Sequence, residues 1–143
     1  MWIKANGETP EVWPYDMTKL KADNPNTAFP RNPTAETLAA FNTYIVTVGA
    51  VPEYDYLTQQ TSLDVPVYEN GEWSVEFLVT DRPQDEAEDA IRGRRNGLLA
   101  ATDNWALSDR TMTQAQTDYR QALRDVPNQE GFPYSVVWPT DPS

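Results

Sequence analysis

The chain has 143 residues, with 22 acidic against 11 basic side chains for a formal net charge of −11, and it contains neither Cys nor His. That length suits one domain or two small linked ones. The acidic balance argues against a phosphate-backbone or anionic-membrane partner, which needs clustered Lys and Arg, and the missing Cys and His exclude disulfides, zinc fingers, thiol nucleophiles and the Ser-His-Asp triad.

The opening Trp2–Thr9 stretch carries Asn6-Gly7, the two-residue signal of a type I′ turn whose central positions both need positive φ, so a hairpin is expected over 1–13. Asp16 suits the N-cap of a short helix through Lys21 and Ala22. That helix should stop at Asn24-Pro25, because the residue before Pro avoids the right-handed helical region. A Pro-rich elbow follows from Asp23 to Pro33. Thr34 then caps a second short helix offering Leu38, Ala39 and Phe41 for burial, and Tyr44 to Val48 reads as a buried strand.

The clearest β signal spans Val65 to Val79 around Asn70-Gly71. With Asn70 and Gly71 as a two-residue loop, Tyr68 faces Trp73 as a cross-strand aromatic pair, and Trp73, Val75, Phe77 and Val79 share one face. Pro66 points to an edge position for the first strand, which reaches back as far as Leu57.

The composition then turns helical. Thr80-Asp81 supply caps and Pro83 suits the first turn, while Asp85, Glu86, Glu88 and Asp89 complement the positive end of a helix dipole. Ala87, Ala90, Ile91, Leu98, Ala101 and Trp105 fall within an arc of about 100°, giving a helix over 83–103 with one buried stripe. Arg94 lies on that stripe and needs a carboxylate, its own or a partner's, whereas Arg92 and Arg95 should be solvated. A second helix over 112–126, capped by Thr111 or Thr113 and stopped by Pro127, aligns Ala115, Tyr119, Ala122, Leu123 and Val126. The two form an αα-hairpin, and Phe132 to Pro139 make an extended aromatic and Pro-rich tail that folds back. The fold class is α+β, with a mixed region over 1–80 holding two Asn-Gly hairpins and short helices, and a helical module over 81–143.

No residue pattern in the chain points to catalysis, a cofactor or a metal. Its closely spaced acids open a helix, Asp23-Asn24-Pro25-Asn26 does not fit a calcium loop, and the six Gly are not clustered into a phosphate cradle. Contacts are the better-supported chemistry. Trp73, Trp105 and Tyr119 fall on buried stripes, but Trp2, Trp13, Tyr15 and Trp138 sit beside Pro or near chain ends. Trp13, Tyr15, Phe132 and Trp138 are therefore the candidate partner-binding aromatics, since large aromatics dominate interface energetics and Pro holds extended segments open at small entropic cost. Arg120 and Arg124, a like-charge pair four apart on one helix, join them as a complement to an acidic partner.

Arg94 to Asp103, Trp105, Ser108-Asp109, Met112-Thr113, Tyr119 to Asp125, Gly131-Phe132-Pro133 and Trp138-Pro139 form an ordered string. It resembles the module of small bacteriophage tail proteins of the tail assembly chaperone or tail-fibre assembly family. Asp23 to Pro30 and Pro52 to Asp55 are similar to the front end of such proteins. One departure is Asn104, which stands where relatives often carry an aromatic directly after the Thr-Asp pair, and it bears on the packing of the inter-helix loop. The resemblance implies a non-enzymatic protein with tail-fibre, baseplate or tail-tip proteins as partners. The preferred reading is a connector retained in the virion tail. Its alternative is a transient assembly chaperone of the host cytoplasm, absent from the mature virion. A third reading from another class, an acidic DNA-mimic inhibitor, would need carboxylates arrayed on one face, and the acids are scattered. A homo-oligomer is left open. Neither a nucleic acid nor a membrane is expected as partner, and the apolar-poor start gives no sign of a secretory signal.

Overall fold

Turn chemistry organises the first part of the chain. The computed structural model describes residues 1–143. Strands β1 (Trp2–Asn6) and β2 (Thr9–Tyr15) form the expected first hairpin, with Asn6 paired to Thr9. Its loop is therefore Gly7-Glu8 rather than Asn6-Gly7. Gly7 alone takes positive φ there, at 61°, which suits the type II′ pattern with Gly at the first central position. At the second hairpin, between β5 (Val67–Glu69) and β6 (Glu72–Val75), Asn70 and Gly71 both take positive φ, 53° and 83°, as a type I′ turn requires. Tyr68 pairs with Trp73 as expected, their ring centroids 5.4 Å apart.

The chain divides into two compact units. The first, Met1–Pro52 with Thr61–Leu78, is built on a five-stranded mixed sheet in the order β2-β1-β3-β6-β5, where β3 is Thr43–Val48. β3 runs antiparallel to β1 and parallel to β6. Ile3, Ala5, Val46, Trp73 and Val75 form the core of one face. Tyr15, Leu20 and Leu38 form a second core with α1 (Met17–Asp23) and α2 (Ala35–Ala39). Both helices start where the caps predict: Asp16 accepts from the Lys19 N–H and Thr34 from the Thr37 N–H. Three expectations change here. Ala39 is exposed, because five residues of α2 make little more than one turn and only Leu38 reaches the core. β3 is half-exposed rather than buried, with Ile45 at 53% and Val48 at 38%. The strand through Trp73 and Val75 stops at Glu76; Phe77 and Val79 belong to a separate strand, β7 (Phe77–Asp81), which pairs with β4 (Gln59–Leu63) in a two-stranded sheet. Pro66 is buried just ahead of β5, an edge strand of only three residues.

The second unit comprises Glu53–Gln60 and Val79–Ser143, so it takes in a short stretch that the 1–80 region had included. It holds α3 (Gln84–Ala101) and α4 (Gln114–Asp125), with 3-10 turns at Asp103–Ala106 and Val126–Asn128. Leu57, Ile91 and Val126 are its buried cluster. Pro83 sits at the N-cap of α3 with no side-chain cap bond, because Thr80 and Asp81 stay in β7. For α4 the cap is Thr113, closed into a capping box with Gln116. Ala87, Ile91, Tyr119, Leu123 and Val126 are buried as their stripes require, while Ala101 and Ala115 are exposed at the helix ends. Trp105 leaves α3 for the 3-10 turn and meets Tyr119 at 6.1 Å between ring centroids.

Candidate functional site

The candidate contact residues fall into two places, one in each unit. Trp13 lies in β2 and is half-buried against the Ile3 cluster. Tyr15, two residues on, is only 3% exposed, and its hydroxyl donates to Asp23 Oδ2 at 2.8 Å. Lys4 Nζ donates to the same oxygen at 2.7 Å and stands 5.8 Å from the Tyr15 ring centroid. Burial first, then the bond to Asp23, pushes the Tyr15 hydroxyl far above its ordinary pKa. The bonds from Lys4 and Tyr15 hold the Asp23 carboxyl below its ordinary range. Tyr15 thus ties α1 to the sheet through its hydroxyl and offers a partner little surface.

Trp13 and Tyr15 nonetheless line one pocket of about 860 Å³. Trp2, Pro14, Met17 and Leu63 complete its apolar wall, and Asp16 and Arg31 stand at its polar margin. Trp2 and Trp13 stood out in the sequence as aromatics near a chain end and a Pro. Leu63 and Arg31 carried no such signal, since they arrive from β4 and from the Pro-rich elbow only through tertiary packing.

In the second unit, Phe132 and Trp138 pack on the Leu57–Ile91–Val126 cluster. The tail reaches that position through turns at 129–135. Gln129 then pins it through both backbone groups of one residue, donating to the Val137 carbonyl and accepting from the Val137 N–H, each at 2.8 Å. Two arginines of α3 lie over these rings, Arg92 at 5.2 Å from the Phe132 centroid and Arg94 at 4.6 Å from Trp138. The expectations for both cations are corrected by this arrangement. Arg94 is exposed and rests on an aromatic face, so no carboxylate is needed to offset burial. Arg92 is half-buried and ion-paired with Glu88 at 2.9 Å.

Arg120 and Arg124 separate just as sharply. Arg120 is 7% exposed, and its guanidinium donates to the Leu99 carbonyl at 3.0 Å, to Thr102 Oγ1 at 2.6 Å and to Asp103 Oδ1 at 3.1 Å. It satisfies the end of α3 from α4, so the cation spends its donors inside the unit. Arg124 faces solvent. No group of three or more His, Cys, Asp or Glu side chains could hold a metal ion, and no helix is long and apolar enough to cross a membrane.

Residues 87–143 match the family described as phage tail assembly chaperone protein, a non-enzymatic family. The match covers α3 from Ala87, α4 and the whole pinned tail, which are the parts held together by Ile91, Arg120 and Gln129. No curated protein and no solved structure matches the chain.

Proposed function

Proceeding from the family match over residues 87–143, we propose that this protein is a transient chaperone of bacteriophage tail assembly that acts in the host cytoplasm and leaves before the virion is complete. The observation that carries the reading is that match, and it favours the chaperone over the retained connector that the sequence alone had put first. Physically, such a protein covers apolar surface on a tail component until assembly buries it. The client is a tail-fibre, baseplate or tail-tip protein, and contacts rather than chemistry do the work. Trp13, half-buried at a pocket, is the contact residue retained from the sequence reading; Phe132 and Trp138 serve first to seat the tail, and Arg120 to close the second unit.

Quantitative mass spectrometry of infected-cell lysate and of purified virions tests this. The chain should be abundant in the lysate, recovered with one tail component, and absent from virions. Stoichiometric recovery from virions would restore the connector.

A further inference from the structure

We propose that the pocket beside β2 is the client-recognition site, and that it takes a protein segment bearing a large apolar side chain with an Asp or Glu within a few residues. The proposal rests on the chaperone reading for the source of that segment. Its volume, about 860 Å³, is in the range of pockets that enclose a drug-sized molecule, room for a few adjacent side chains. Its apolar wall is built and left open in the same place: Trp2, Trp13, Met17 and Leu63 are each only half-buried, and Met1 is 61% exposed. Unbranched methionines beside rigid indoles suit a surface that adapts to more than one apolar side chain.

Charge selects the rest of the segment. Arg31 is exposed at the margin, and no carboxylate lies within ion-pair distance of it. Asp16, the acid of the same margin, already accepts from the Lys19 N–H as cap of α1 and sits at that helix's positive end. Among the side chains lining the pocket Arg31 is the one cation, and with no ion pair of its own its complement is a carboxylate.

The mode of entry follows from β2 itself. β2 is an edge strand in which Pro10 and Pro14 lack N–H groups and Lys19 Nζ occupies the Pro14 carbonyl at 2.6 Å, so it has fewer backbone groups with which to pair an added strand. Recognition proceeds by side-chain insertion.

The test uses the full chain, wild type and with Arg31→Glu or Arg31→Lys, against immobilised synthetic peptides tiling the tail-fibre, baseplate and tail-tip proteins of the same phage. In parallel, each variant is used to recover the intact tail component from infected cells. The peptides bound should share a large apolar residue with a nearby Asp or Glu, and Arg31→Glu should weaken them about tenfold at unchanged melting temperature, with Arg31→Lys close to wild type. Bound peptides lacking an acid, or indifferent to Arg31→Glu, overturn the proposal. If wild type recovers the intact component but no peptide binds, or Arg31→Glu recovers that component as well as wild type does, the pocket is wrong and the chaperone reading stands. If wild type recovers no tail component and binds no peptide, both fail together.

Discussion

Arg120 shows how far a single side chain can move from its sequence reading. In sequence it is half of a repelling pair; in space its partners Leu99, Thr102 and Asp103 come from the end of the preceding helix, 17 to 21 residues away. No periodicity rule reveals that, because the contact depends on where the inter-helix loop sets α4. Asp103 is itself 68% exposed, so the ion pair is screened and the buried bonds to Thr102 and Leu99 carry the stabilisation. Arg120→Ala should therefore destabilise the protein by about 2–4 kcal/mol in urea titration, while Asp103→Asn should scarcely move the midpoint. Tyr15 and Asp23 make a second residue-scale case with opposite signs at the two ends of the pH range. The Tyr15 hydroxyl is raised in the folded state, so its contribution is complete below about pH 10, the unfolded value, and is lost as pH climbs above that. The Asp23 carboxyl is lowered, so its contribution is present above about pH 3.9 and is lost as pH falls through the folded value. Tyr15→Phe should flatten the decline in denaturation midpoint between pH 9 and pH 11. An equally steep decline in that variant would place the alkaline sensitivity elsewhere.

At the scale of elements, short-range signals were legible where the turn or cap is decided by two or three residues. Asn70-Gly71, Asp16, Thr34 and Thr113 all act locally as their chemistry requires. Asn6-Gly7 slipped by one position because the pairing of β1 with β2 is irregular, with register shifts after Trp2 and Lys4, and the Asn-Gly signal says nothing of register. The break at Glu76 was invisible for a similar reason, since Phe77 continues the alternation while its pairing partner changes from β5 to β4. Two glycines distinguish backbone conformation from helix propensity. Gly71 takes φ of +83° with open space around it, so Gly71→Ala meets no clash and pays only for the left-handed backbone, a loss of about 1–2 kcal/mol. Gly97 lies inside α3, also with open space, and Gly97→Ala should raise stability by about 1 kcal/mol. Thermal denaturation of the two variants should shift in opposite directions.

For the whole molecule, the α+β class and both C-terminal helices could be read from pattern, but the sheet order could not. The parallel pairing of β3 with β6 joins Val46 to Trp73 across two intervening strands, a long-range choice made by burial of one face. The pocket inherits that limit: Trp13 could be singled out, whereas Leu63 and Arg31 reach it only once the chain has closed. Net charge, by contrast, is a global property that needs no fold, and it leads to a further prediction. The chain carries twice as many acids as bases, and its four ion pairs all have at least one solvent-exposed partner or a solvent-facing carboxylate, so each is individually weak. Self-repulsion among the remaining acids opposes the compact state, and it is long-ranged at low salt. Raising ionic strength from about 0.01 M to about 0.15 M shortens the screening length from about 30 Å to about 8 Å. It should therefore raise the melting temperature of the isolated protein by about 2–4 °C, equivalent to about 1 kcal/mol for a chain of this size. A fall over the same range would mean that the four pairs outweigh the repulsion, and that the acids are placed so as to spare one another.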